Sequence, residues 1–120
     1  MDITETYIKM SDHLKIQEQW KPDYKLGSVL FLTHTKEIMV DKTNNLSGAI
    51  WLPRQDQIQY MMGKTESAFC IYQAENKWDG EVYQDREQVL SIELNSPEQL
   101  WLTFYMHEKH KLKWKDGKWQ

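Results

Sequence analysis

Apolar residues recur at helical spacing in three stretches of the chain, and this pattern predicts three main helices. The first covers residues 4–19, the second 53–62 and the third 97–110. The third has the clearest signals, because Ser96 can cap it and Pro97 suits its first turn. Nine residues on these apolar faces and on the strands between them are predicted to form the core: Tyr7, Met10, Leu14, Phe31, Ile58, Met61, Leu100, Trp101 and Phe104.

Between the helices, runs rich in β-formers predict a small antiparallel sheet. Residues 28–42 are expected to form a hairpin, followed by a turn-rich loop at 43–48 and a third strand at 49–51. Alternating apolar and polar residues predict a further strand at 89–94. Residues 65–76 suit either a helix face or a strand, and we predict a helix.

These elements together predict an α+β fold, with three helices packed on a small antiparallel sheet in a single domain spanning 1–120. A short basic hairpin is expected at 111–120, where an Asp-Gly turn would place Trp114 opposite Trp119. A second Asp-Gly pair, Asp79-Gly80, predicts another tight turn.

Composition is that of a globular domain, with 40% hydrophobic and 28% charged residues. No apolar run approaches the roughly 20 residues that a membrane span needs. The amino-terminal stretch lacks the basic and apolar regions of a signal peptide, so we expect a cytoplasmic protein. Cys70 is the only cysteine, which suits a reducing compartment, and its apolar neighbours predict a buried, inert thiol.

Charge is unevenly distributed along the chain. Residues 1–108 carry 10 basic and 17 acidic residues, whereas residues 109–120 carry five lysines and one aspartate. The acidic body disfavours non-specific binding to nucleic acid, since phosphate neutralisation dominates that affinity. It would instead steer the protein towards a basic surface, for instance one that normally holds nucleic acid.

Three separated motifs give the sequence a family resemblance. They are Trp51-Leu52-Pro53-Arg54-Gln55-Asp56-Gln57-Ile58, then Ser96-Pro97-Glu98-Gln99-Leu100-Trp101-Leu102, and the closing Lys113-Trp114-Lys115-Asp116-Gly117-Lys118-Trp119. With Tyr7-Ile8-Lys9-Met10 near the start, they resemble small uncharacterised proteins encoded by phages and prophages of Gram-positive bacteria. The resemblance implies a phage setting in a host cell, and it carries no catalytic residues over to this chain.

No catalytic set emerges from the residue spacing. His107 and His110 could share a metal at the end of the third helix, but no third ligand is apparent, and we expect solvated histidines there. The five glycines are scattered and form no phosphate-cradling loop. We therefore predict that the protein is not an enzyme and uses no metal or cofactor.

The function expected is binding to a host or phage protein, with anti-defence inhibition as one form of such modulation. One alternative is an accessory protein for single-stranded nucleic acid that uses the basic tail. Another is a small-ligand sponge with a Trp-lined pocket. Membrane binding is not expected. The candidate partner-binding residues are Trp51, Arg54, Asp56, Lys111, Lys113, Trp114, Lys115 and Trp119.

Overall fold

The structure is a computed structural model that describes residues 1–20, 28–40 and 48–120. The fold is α+β, as predicted, with four helices and three small antiparallel sheets in this part of the chain. The helices are α1 (Glu5–Ser11), α2 (Leu14–Gln17), α3 (Gln55–Met62) and α4 (Pro97–His110). The strands are β1 (Val29–Leu32), β2 (Glu37–Val40), β3 (Ala49–Leu52), β4 (Ala68–Ala74), β5 (Lys77–Gln84), β6 (Glu87–Leu94), β7 (Trp114–Lys115) and β8 (Lys118–Trp119).

Each sheet is a simple antiparallel arrangement. The first has the order β2-β1-β3, the second β4-β5-β6, and the third is the β7-β8 hairpin. The hairpin predicted at 28–42 is confirmed over residues 28–40 as β1 and β2, and the strand predicted at 49–51 is confirmed as β3. Residues 41 and 42 of that hairpin and almost all of the loop predicted at 43–48 lie outside the described residues. The strand predicted at 89–94 is the larger part of β6.

Helix α4 is the central packing element, and its ends follow local rules. Ser96 accepts a hydrogen bond from the backbone N–H of Gln99 (3.1 Å), and Pro97 occupies the first turn. Lys111 ends the helix in the left-handed conformation. Eight of its fourteen residues are buried, because α1, α3 and the β4–β6 sheet all contact it.

A buried polar network ties the start of the chain to α4. The Asp2 carboxylate accepts hydrogen bonds from the Ser96 hydroxyl (2.5 Å), the Gln99 amide (2.8 Å) and the backbone N–H of Thr4 (2.9 Å). Burial would raise the pKa of Asp2, but these hydrogen bonds outweigh burial and hold that pKa below its ordinary value. Gln99 therefore takes part both in the cap of α4, through its backbone N–H, and in the contact with Asp2, through its side chain.

The single helix predicted at 4–19 is wrong, because the chain breaks it at Asp12 and His13. Asp12 leaves the helical conformation, and the His13 ring accepts a hydrogen bond from the N–H of Lys15 (3.1 Å), which starts α2. This break turns α2 so that Ile16 faces the core. Leu14, predicted to be in the core, is instead 72% exposed.

The other core predictions hold to different degrees. Five of the nine residues are buried: Tyr7, Met10, Ile58, Leu100 and Phe104. Three are half-buried and pack against that core: Phe31, Met61 and Trp101. The predicted helices at 53–62 and 97–110 are confirmed as α3 and α4.

The helix predicted at 65–76 is also wrong, since most of this stretch is strand β4. Phe69 pairs with Val82 and Ile71 with Gly80 on β5, so these side chains alternate towards α4 with a period of two. The apolar residues of this stretch suit a helix or a strand equally well by spacing alone, and the pairing with β5 makes them a strand.

Gly80 does not form the predicted tight turn but lies in the middle of β5. A Cβ at this position would come within 2.7 Å of the Phe104 ring, so glycine lets α4 approach the sheet closely. The two hairpin turns of this sheet use left-handed residues instead, namely Glu75 in the first and Asp85 and Arg86 in the second.

The carboxy-terminal hairpin has the predicted register. Trp114 lies opposite Trp119, with ring centroids 5.1 Å apart, and the Trp119 indole N–H donates to the Met10 carbonyl (2.8 Å). This hydrogen bond docks the hairpin on α1, which supplies the stability that an isolated two-stranded hairpin lacks.

Candidate functional site

Arg54 and Asp56 form a local ion pair at the start of α3. The Arg54 Nε lies 3.0 Å from Asp56 Oδ1, and a second guanidinium nitrogen lies 3.3 Å from Oδ2. The hydrogen bond from Arg54 lowers the pKa of Asp56. Exposed pairs of this kind contribute little stability, so the arrangement fits the local pair that a helix start favours.

Trp51 does not belong to any surface patch, because its side chain is fully buried. Its ring stacks on Trp20 with centroids 6.5 Å apart and an interplanar angle of 9°. Gln17 fixes its backbone, accepting from the Trp51 N–H and donating to the Trp51 carbonyl, both at 2.9 Å. The structure therefore removes Trp51 as a partner contact and explains it as core packing.

The hairpin candidates divide into exposed lysines and engaged tryptophans. Lys111, Lys113 and Lys115 are exposed, whereas Trp114 and Trp119 are half-buried against each other and against the body. Stacking on bases needs free aromatic faces, and the edge-to-face contact between the two indoles leaves less of them free. The eight predicted residues thus occupy three different environments: the core, the start of α3 and the docked hairpin.

None of the sequence-based candidates lies on the open face of the β4–β6 sheet, hereafter the acidic face. On this side the alternating residues of three strands point away from α4. By the same alternation this side carries Asp79, Glu81 and Glu93 together with one basic residue, Lys77, so its net charge is −2. The members of the acidic face that matter below are Cys70, Tyr72, Asp79, Glu81, Tyr83, Ser91 and Glu93.

Glu81 lies at the centre of the acidic face and is held by two tyrosines. The Tyr72 hydroxyl donates to one carboxylate oxygen (3.2 Å), and the Tyr83 hydroxyl donates to the other (2.6 Å). These hydrogen bonds to the Glu81 carboxylate raise the pKa of both tyrosines. The carboxylate is therefore fixed in position while it remains on an open surface.

Two further carboxylates face each other beside this centre. Asp79 on β5 is directly opposite Glu93 on β6. Like charges directly opposite each other destabilise a sheet, so this pair does not contribute to the stability of the β4–β6 sheet. A cationic partner placed over the acidic face would remove the repulsion.

A polar pocket of about 340 Å³ lies at the carboxy-terminal half of α4. Glu108 accepts hydrogen bonds there from Ser67 (2.8 Å), Thr65 (2.9 Å) and Gln84 (3.3 Å). Burial would raise the pKa of Glu108, yet these donors outweigh it and lower the pKa. Three hydrogen bonds therefore fix the Glu108 carboxylate in position, and Glu66 and Asp85 also line the pocket.

An adjoining crevice of about 300 Å³ is more apolar. Phe69, Met62 and Trp101 line it, and Thr65 belongs to both cavities. The Trp101 indole N–H has no hydrogen-bond partner among the described residues. This crevice is a counterpart of the predicted Trp-lined pocket, with one tryptophan, Trp101, in its lining.

His107 and His110 are half-buried rather than solvated. Burial lowers the pKa of both imidazoles, and one ring nitrogen of each lacks a partner in the described chain. Within residues 1–20, 28–40 and 48–120, no three His, Cys, Asp or Glu side chains are grouped to hold a metal ion. No helix in the same part of the chain is long and apolar enough to cross a membrane.

The spacing of acidic residues in the sequence is consistent with the acidic face. Acidic residues at 79, 81 and 93 follow the period of two that places them on one side of adjacent strands. Comparison with known proteins adds nothing to this geometry, because no family model, no curated protein and no solved structure matches the chain.

Proposed function

We propose that this is a small binding protein, without catalysis of its own, that modulates a host or phage protein by covering a basic surface of it with the acidic face. The observation that carries the proposal is an open β-sheet face with a central, fixed carboxylate and a net negative charge. Inhibition of a host defence protein in the cytoplasm is one form of this activity, suggested by the resemblance to phage proteins.

The distribution of charge supports a protein partner over nucleic acid. Phosphates would be repelled by Asp79, Glu81 and Glu93, whereas lysine and arginine side chains would be attracted and steered towards them. A surface that normally holds nucleic acid presents many such side chains. Covering it would prevent that protein from binding its own substrate.

The test is affinity capture from infected cells of a Gram-positive host, with quantitative mass spectrometry of the captured proteins. The key variant is Asp79→Asn/Glu81→Gln/Glu93→Gln, which removes three charges and keeps side-chain size. We expect a stoichiometric partner with the wild-type protein, its loss with this variant, and its release at high salt. Circular dichroism checks that the variant is folded.

Two matched controls separate the acidic face from the sequence-based candidates. Lys111→Gln/Lys113→Gln/Lys115→Gln removes three charges of opposite sign from the hairpin region, and Arg54→Ala removes the ion pair of α3. Both should retain the partner. Loss of the partner only with the lysine variant would support the nucleic-acid or tail-binding alternative, and capture of no stoichiometric partner by any form would reject the proposal.

The apolar crevice favours a second function, the sequestration of a small ligand. Phe69 and Trp101 provide aromatic walls, and Gln59 and Thr65 add polar groups at the edge. Ligand pockets combine such surfaces with a few polar contacts. Native mass spectrometry of freshly purified protein should then show a bound small molecule that Trp101→Leu loses, and a mass equal to that of the bare chain would exclude a tightly retained ligand.

A further inference from the structure

We propose that Glu81, Tyr72 and Tyr83 form an anchor point for an arginine side chain of the partner protein. This inference rests on the proposed function, since it assigns a specific contact to the acidic face. It commits the site to one occupant, a guanidinium group carried on a basic protein segment. Three features of the acidic face support it: the unused hydrogen-bonding capacity of Glu81, the short residues opposite Glu81 and the charges next to it.

The hydrogen bonds of Glu81 leave one acceptor position on each oxygen. A carboxylate offers about four lone-pair sites, and the two tyrosine hydroxyls occupy one on each side. The remaining two positions belong to different oxygens of one rigid group. That is the arrangement which a guanidinium group satisfies with two parallel N–H donors.

The neighbours of Glu81 leave room for such a side chain. Directly opposite Glu81 on the two adjacent strands are Cys70 and Ser91, which are both short and both exposed. Tyr72 lies opposite Asp79 on β4 and is 46% exposed, and Tyr83 lies two residues from Glu81 along β5. The central carboxylate of the acidic face therefore has a short side chain opposite it on each neighbouring strand and a tyrosine hydroxyl on each oxygen.

Arginine fits this arrangement better than lysine does. Its planar guanidinium group donates to both carboxylate oxygens and stacks on aromatic rings, whereas a lysine ammonium acts as a point charge. Asp79 and Glu93 lie one pair further along the strands and add attraction for any cation. The expected partner segment thus carries an arginine at the anchor and further basic residues beside it.

Two fluorescein-labelled peptides of equal charge, hexa-arginine and hexa-lysine, test this assignment by fluorescence anisotropy at low salt. The wild-type protein should bind hexa-arginine about fivefold more tightly, because bidentate pairing and ring stacking are open only to arginine. Glu81→Gln should abolish this preference. The matched variant Glu93→Gln loses the same charge from the same face and should weaken both peptides equally.

Variants of Tyr72 test the contribution of its aromatic ring in the same anisotropy assay. Tyr72→Leu should reduce the arginine preference, and Tyr72→Phe, which keeps the ring, should restore most of it. Because Cys70 is the only cysteine in the chain and lies opposite Glu81, attaching N-ethylmaleimide to it should block hexa-arginine binding by occupying the space beside that carboxylate.

Each outcome separates the anchor from the wider proposal. The anchor would be overturned if the two peptides bound equally tightly, or if Glu81→Gln and Glu93→Gln had equal effects. The acidic face would then attract basic segments only through non-specific electrostatics. No binding of either peptide to the wild-type protein would overturn the anchor and the acidic face together, whatever partner the capture experiment recovers.

Discussion

Replacing Gly80 by alanine should destabilise the protein, because α4 lies too close to β5 to accept one more methyl group. A Cβ at residue 80 would lie 2.7 Å and 3.0 Å from two atoms of the Phe104 ring and 2.9 Å from a Leu100 methyl. Comfortable contacts between carbon atoms are about 3.5–4.0 Å. The helix or the ring must therefore move by roughly 0.5–1 Å.

The expected change in the free energy of unfolding on Gly80→Ala is the sum of two opposing contributions. Overpacking a dense core costs about 1–3 kcal/mol, and alanine recovers about 0.4–1 kcal/mol by restricting the unfolded chain. We expect a net loss of roughly 1–2 kcal/mol in the free energy of unfolding, which corresponds to a melting temperature lower by about 4–8 °C for a chain of this size. Gly80→Val should cost more.

Urea unfolding followed by circular dichroism measures this loss, and a double-mutant cycle assigns its cause. Phe104→Leu is itself destabilising, but in that background Gly80→Ala should cost less than half as much, since the ring atoms it meets are gone. Ser91→Ala, on the opposite face of the same sheet, is the control and should change stability by less than about 0.5 kcal/mol. Wild-type stability in Gly80→Ala would refute the close packing of α4 on this strand.

Three further predictions concern the hairpin, the thiol and the histidines. Trp119→Phe removes the donor to the Met10 carbonyl and should cost about 1 kcal/mol, measured by calorimetry; an unchanged melting temperature would mean that the docking depends on ring packing alone. Cys70 is exposed, contrary to the buried thiol predicted from its neighbours, so it should react with a disulfide reagent in the folded protein without urea, and a reaction that requires urea would contradict the orientation of β4. Burial lowers the pKa of His107 and His110, so these two imidazoles bind protons less readily in the folded state than in the unfolded state. The free energy of unfolding should therefore be unaffected by them above the unfolded-state pKa of about 6.5, and it should decline as the pH falls below that value. Urea midpoints at several pH values check this decline, which His107→Gln/His110→Gln should reduce.

The elements that the sequence predicted correctly are those with local signals. Helix α4 was predicted from a capping serine, a proline in the first turn and a wide apolar face, all within residues 96–110. The hairpin at 114–119 was predicted from one Asp-Gly turn. These signals act within a few residues, so they do not depend on how the rest of the chain folds.

The sequence-based predictions are wrong where contacts between residues distant in sequence determine the local structure. The strand β4 is a strand because β5 pairs with it, and Gly80 is central in β5 because Phe104 needs the space. The acidic face could not be predicted without β4, since Tyr72 and Tyr83 reach the same carboxylate only after the strands have paired. Trp51 shows the converse, because its neighbours in the motif suggested a surface role while its contacts to Gln17 and Trp20 place it in the core.

The hydrogen bond between Trp119 and Met10 has a consequence for folding during synthesis. A contact between residues so far apart in sequence closes nearly the whole chain into one loop, and such contacts slow folding. Helix α1 therefore cannot acquire its complete set of neighbours until residue 119 has left the ribosome. Before that moment the nascent chain exposes the surface of α1 that the hairpin later covers, and this is the interval in which a chaperone would recognise it.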